Sequence, residues 1–202
     1  GPVRAAASYD EVLAADDVDA VYISLPNDAH LPWVAAALEA GKHVLCEKPL
    51  GRDADEVARM AAAAERTGLH LVEAAWNRWH PRTRRIEELL AQVDGDLDVR
   101  TWFTFTGVPD DNYRLDPAHG GGALLDVGVY AIAAALIGLG PRTAVSSAEQ
   151  DLGPTGVDLT TSAELVSDRG RASVLGSFAQ PESQGWTVSA PGLQLDAPHP
   201  AF

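Results

Sequence analysis

Three short apolar runs separated by helix-like segments constrain this chain most. Residues 18–25 (VDAVYISL), 43–46 (HVLC) and 69–75 (LHLVEAA) are apolar and β-branched, the composition of strands buried in a parallel sheet. Between them, residues 30–40 read as a helix with Pro32 in its first turn and Gly41 as its stop. Residues 53–67 read as an alanine-rich helix ended by Gly68. Ser8 caps a further short helix over residues 9–15. Helix and strand thus alternate up to residue 75, which predicts an α/β layer, an open parallel sheet with helices on its faces.

The pattern changes near residues 76–81. His80-Pro81 opens a polar helix running to about residue 92, and residues 97–106 read as a strand bearing Trp102, Phe103 and Phe105. A helix over residues 121–137 opens on glycines. Residues 143–150, 157–166, 171–179 and 185–189 read as consecutive strands between Gly, Pro and Asp turns. This predicts an α+β layer, an antiparallel sheet with packed helices. One domain is expected over residues 1–76 and a second over residues 77–202.

Fifteen basic against 29 acidic residues give a net charge of −14, which argues against nucleic acid and anionic membrane as partners, since both need basic patches. The single cysteine, Cys46, lies in an apolar run and reads as a packing residue, with no disulfide framework. No signal peptide and no apolar run long enough to cross a bilayer is read, so a cytoplasmic location is expected. The histidines at 30, 43, 70, 80, 119 and 199 show no paired metal-ligand spacing, and no metal is expected. Trp76 and Trp79 read as core or interface residues, and Arg82, Arg84 and Arg85 as a solvated helix face.

Two segments carry chemistry. Cys46-Glu47-Lys48-Pro49 follows an apolar strand, and ligands of open α/β sheets bind just beyond the carboxyl ends of strands. A lysine there can hold a substrate oxygen or shuttle its proton; the alternative is a surface lysine on a loop. Lys42 and Lys48 are the only lysines among 15 basic residues, a weak hint that an amine is required at one of them. In Gly120-Gly121-Gly122-Ala123-Leu124-Leu125-Asp126-Val127-Gly128-Val129-Tyr130, the four-residue spacing puts Asp126 and Tyr130 on one helical face. A tyrosine beside an ammonium can act as acid or base. The alternative is that Asp126 caps or pairs and Tyr130 packs. The glycines allow a sharp turn or a close approach; their spacing is not that of a dinucleotide fingerprint.

Taken in order, these blocks resemble the Gfo/Idh/MocA oxidoreductases. They are Ser8-Tyr9-Asp10-Glu11-Val12-Leu13, Val18-Asp19-Ala20-Val21-Tyr22-Ile23, Pro26-Asn27 with His30, and Gly41 through Pro49. Glu73-Ala74 with Arg78 and Pro81, Tyr113-Arg114 through Tyr130, Val157-Asp158 and Ser177-Phe178 complete them. Tyr130 and the run Glu73-Ala74-Ala75-Trp76 with Arg78 are similar to the branch of dihydrodiol and NADP-dependent xylose dehydrogenases. The resemblance implies a partial Rossmann-like dinucleotide-binding domain followed by a substrate and dimerisation domain. It implies Lys48, Tyr130 and Asp126 as catalytic residues, with Pro49 cis. Pro26, Asn27, His30, Glu47, Lys48, Pro49, Trp76 and Arg78 would serve cofactor binding. The implied reaction is hydride transfer between NADP or NAD and a sugar or diol carbon, in a homo-oligomer joined through the antiparallel sheet.

The family opens with a strand, a Gly-x-Gly-x-x-Gly turn and a helix, and it continues beyond the equivalent of Phe202. Neither part is read in this chain, which puts cofactor binding in question. Three alternatives stand at this point. The chain is a fragment of an oxidoreductase, an enzyme completed by strands from elsewhere, or a truncated, non-catalytic family member that binds or assembles.

Overall fold

The computed structural model describes residues 4–198 and 200–202; His199 lies outside them. The chain divides into two compact units, the first ending at Ala75 and the second beginning at Trp76.

In the first unit, α1 (Tyr9–Leu13) is capped by Ser8, whose side chain accepts from the Glu11 backbone N–H. Strands β1 (Ala20–Ile23), β2 (His43–Cys46) and β3 (Leu71–Glu73) form a parallel sheet in that order. The connections are α2 (His30–Glu39) and α3 (Ala54–Thr67). Asp53 caps α3 through the Glu56 N–H, and Gly68 ends it in the left-handed region at φ 69°. Both helices bury their apolar stripes, Val34, Ala37, Leu38, Met60 and Ala63, against Ile23, Val44 and Cys46. The opposite face carries Tyr22, Leu45 and Val72 side by side in register, all exposed. Among the described residues, then, helices of this unit cover one face of the sheet rather than both.

The second unit opens with α4 (Pro81–Leu90), capped by His80. It is built on a six-stranded sheet of β4 (Leu97–Thr104), β5 (Ala144–Leu152), β6 (Asp158–Ser167), β7 (Gly170–Ser177), β8 (Ser183–Ala190) and β9 (Leu193–Pro198). The order is β5-β6-β7-β4-β8-β9. The sheet is mixed rather than purely antiparallel, because β4 pairs parallel with β7. The first strand of the unit is inserted between two late ones, a non-local pairing that local patterning does not reveal. Strand β9 was also unforeseen, although Pro191-Gly192 followed by alternating Leu193, Leu195 and Ala197 signals a hairpin.

Helix α5 (Val129–Leu139) lies on this sheet. Its buried face is small, with Ala131, Ala134, Ala135 and Gly138, so it seats directly on Leu97, Val99, Ala172 and Val174. A Cβ on Gly138 would stand 3.3 Å from the Val99 methyl. Thr101 points inward from β4 and donates to the Ala131 carbonyl at 2.9 Å. Counted through its irregular first turns, the helical stretch Pro117–Leu139 is long and apolar enough to cross a membrane, contrary to the expectation that no such run exists. Half of its most apolar part is buried within the protein, because residues of α5 form the core on the sheet.

Candidate active site

In the first unit the predicted residues gather where β1 and β2 end. Glu47 continues the ladder, its N–H donating to the Ile23 carbonyl at 2.9 Å. Its carboxylate accepts from the Tyr22 hydroxyl and, at 3.2 Å, from the Lys48 N–H. The Lys48–Pro49 bond is cis. Lys48 is half-buried and Pro49 buried. A residue whose part the motifs did not reveal, Glu73 at the end of β3, accepts from the Leu50 N–H at 2.8 Å and so holds the far side of the turn. Pro26 and Asn27 lie just past β1, where Asn27–Ala29 forms a single 3₁₀ turn into α2. His30 is fully buried, with Nε2 2.8 Å from the Leu25 carbonyl and Nδ1 2.9 Å from the Pro49 carbonyl. It therefore lies under the loops, not on their surface.

Cys46 is a core residue. Burial, with the Glu47 and Glu73 carboxylates adding to it, pushes its thiol up to about 12. Lys42 also has a structural partner: its ammonium donates to the Ala15 carbonyl at 2.8 Å.

In the second unit the glycine run is a packing device. Gly120 adopts φ 68°, and a Cβ on Gly121 would stand 2.5 Å from the Arg114 carbonyl oxygen. Gly122 has φ 120°, and a Cβ there would overlap Asp158 Oδ1. Buried Asp158 accepts from the Leu124 N–H at 2.8 Å and the Thr161 hydroxyl at 2.6 Å. It thereby caps the helical segment that carries the candidate residues.

That segment begins as a π-helix over Leu124–Gly128 and becomes α5 only at Val129. Gly128 is pressed against β7: a Cβ on Gly176 would stand 2.8 Å from the Gly128 Cα. Asp126 lies in the π turn and Tyr130 in the α-helix, so the spacing argument for a shared α-helical face does not carry over directly. Asp126 accepts from Arg114 Nε at 2.8 Å. Burial pulls the Arg114 guanidinium down, but the hydrogen bond and charge of Asp126 together outweigh it and leave the guanidinium above its ordinary value. Tyr130 sits among aromatic rings: Phe103 at 5.7 Å, Phe202 stacked at 6.0 Å, and Trp76 edge-on at 6.5 Å. Phe202 had no sequence signal pointing to this place. Trp76 reaches the Tyr130 ring and is itself 52% exposed, while Arg78 is exposed on the same turn.

The remaining basic residues of α4 differ from expectation in one case. Arg82 is not on a solvated face; it donates to the Pro200 and Ala201 carbonyls at 2.7 and 2.6 Å and tethers the last residues. Arg84 lies over Trp79, and Arg85 pairs with Glu88. Among the described residues, no group of three or more His, Cys, Asp or Glu side chains is arranged to hold a metal ion.

Comparison with known proteins agrees with this architecture. Residues 2–74 match the oxidoreductase family with an NAD-binding Rossmann fold, and residues 96–190 match the GFO/IDH/MocA C-terminal domain. The chain is 43% identical over 199 residues to D-xylose 1-dehydrogenase (NADP(+)) 2 of Haloferax volcanii, covering 96% of this chain and 61% of that protein. It is 37% identical over 177 residues to trans-1,2-dihydrobenzene-1,2-diol dehydrogenase of Sus scrofa, covering 87% of this chain and 52% of the relative. The chain thus spans roughly half to three-fifths of these curated relatives. In structure it is similar to KijD10, a 3-ketoreductase from Actinomadura kijaniata crystallised with NADP and TDP-benzene. The TM-score is 0.85 at 29% identity, over 95% of this chain and 68% of that one. With two units matching the two halves of one family pattern in the same order, the chain belongs to the Gfo/Idh/MocA oxidoreductase family.

Proposed function

We propose that this chain supplies the reacting residues of an NADP- or NAD-dependent dehydrogenase acting on a hydroxyl-bearing carbon of a sugar or diol. The observation that carries this reading is the place of Lys48, half-buried on the turn that ends a parallel strand, where open α/β sheets bind ligands. The 43% identity to an NADP-dependent xylose dehydrogenase supports NADP and a sugar.

The residues present fit part of a dinucleotide. Pro26, Asn27, Lys48 and Pro49 at the ends of β1 and β2 would hold its nicotinamide end, with Glu47 bracing Tyr22 and the turn behind them. Trp76 and Arg78 would complete the substrate or nicotinamide side. Gly121 and Gly122 cannot cradle the phosphates, because Arg114 and Asp158 occupy the space beside them. When bound, the nicotinamide supplies the hydride chemistry. The chain's own residues handle the rest: Lys48 holds the substrate oxygen, Tyr130 takes or returns the hydroxyl proton, and Asp126, fixed by Arg114, orients the substrate. In this reading the first unit serves the cofactor, the second serves the substrate, and a homo-oligomer forms through the six-stranded sheet.

Titration with NADPH and NADH, followed by tryptophan quenching, tests the reading together with turnover on xylose and trans-diols. Micromolar binding and turnover lost in Lys48→Ala are the expected results. No binding up to millimolar cofactor would remove the dehydrogenase assignment for this chain and favour a binding or assembly role.

A further inference from the structure

The ladder between β1 and β2 stops for an identifiable reason. Glu47 N–H donates to Ile23 O, and in a parallel pair the next rung from the same strand would join residue 49 to the carbonyl of residue 25. Residue 49 is proline and has no N–H. The Leu25 carbonyl instead lies 2.8 Å from His30 Nε2, while the Pro49 carbonyl lies 2.9 Å from His30 Nδ1. The imidazole thus stands in for the missing rung and also grips the proline that caused the gap.

Both partners are carbonyl oxygens, which only accept. The ring is fully buried, and which nitrogen donates to which carbonyl depends on its tautomer. We propose that His30 is a positioning residue: seated between the Leu25 and Pro49 carbonyls, it ties the end of β1 to the Lys48–Pro49 turn and thereby sets where the Lys48 ammonium stands. Its importance for the reaction rests on the role proposed above for Lys48. The brace itself does not, and neither does its test. This reading replaces the expectation that His30 lines the cofactor cleft.

The protein's two lysines make the test clean. In protein labelled with ¹³C-lysine, Lys48 reports the turn, and Lys42, bonded to Ala15 outside it, serves as the internal control. The spectra are recorded at neutral pH, with neither cofactor nor turnover required. The expected result is a shift of the Lys48 side-chain cross-peak in His30→Asn and His30→Gln with Lys42 unmoved. An unmoved Lys48, both lysines moving together, or loss of the fold in both variants would overturn the positioning role. If the brace is confirmed but no cofactor binds, only the dehydrogenase reading fails.

Discussion

Around Lys48 the fixed points lie at the ends of neighbouring parallel strands: the Leu25 and Pro49 carbonyls with one imidazole between them, and the Glu47 and Glu73 carboxylates, which accept from the Lys48 and Leu50 N–H groups. Around Tyr130 they are carboxylates: Asp158 grips the Leu124 N–H and the Thr161 hydroxyl, and Asp126 grips Arg114. The first arrangement draws on residues 25–73, in which the partners lie at or just beyond the ends of neighbouring strands. The second gathers residues 114 to 161 and adds Phe202 from the last residue of the chain. The difference follows from topology. A parallel βαβ unit brings consecutive strand ends together by itself, whereas the glycine-rich segment must be held down by strands that arrive later.

The largest effect that would break this comparison is steric. Gly122→Ala places a Cβ on Asp158 Oδ1 at a backbone φ of 120°, and both the overlap and the conformation oppose it. A loss of about 3 kcal/mol in urea unfolding is expected. A loss below about 1 kcal/mol would mean that the carboxylate clamp gives way easily and is not the fixed point described here.

Charge comes next. Asp158→Ala leaves a backbone N–H and a buried hydroxyl without their acceptor, and about 2 kcal/mol should be lost. Asp158→Asn keeps the shape and one acceptor oxygen, so its loss should be smaller. Equal losses in the two variants would point to packing in place of hydrogen bonding.

The smallest effect sharpens the contrast, because it concerns a carboxylate in the first unit but away from the Lys48 turn. Glu56 accepts from the Arg52 side chain and from the Arg52 N–H at 2.9 Å, while its own N–H donates to Asp53. This is a variant of the capping box. The hydrogen bond from the Arg52 side chain holds the Glu56 carboxyl below its ordinary value. A group whose folded value is depressed stabilises the fold above its unfolded value, and that contribution fades as pH falls through the folded one. Glu56→Gln should cost about 1 kcal/mol at neutral pH, and its urea midpoint should converge on that of the unaltered protein in acid. A gap that persists in acid would assign the loss to shape.

Much of the first unit was legible because its signals are local. The apolar runs, Gly68 as a stop and Asp53 as a cap are each decided within a few residues. The cis Lys48–Pro49 bond implied by the family resemblance is present. A motif position does not say whether the His30 ring faces the cleft or the core, and the structure buries it between the Leu25 and Pro49 carbonyls. In the second unit the strands of β4 to β8 were legible as elements, but their order was not. The spacing of Asp126 and Tyr130 suggested an α-helical face, and the π turn at Leu124–Gly128 changed that geometry. The glycines were read as permitting close approach; what approaches them, the Arg114 carbonyl and Asp158, lies at a distance in sequence that no spacing rule covers.

The sequence by itself determined the alternation of helix and strand and the caps and stops, because periodicity, capping and turn chemistry act over one or two helical turns; the family came from the resemblance of its short motifs. Only the tertiary structure decided that β4 lies between β7 and β8, that Asp158 caps the candidate helix, that Phe202 stacks on Tyr130, and that His30 fills the rung Pro49 cannot make. Each of these joins residues whose proximity is set by packing a whole sheet or strand pair. Their value comes from burying apolar surface and satisfying buried polar groups together, a condition that no local stretch of chain can express.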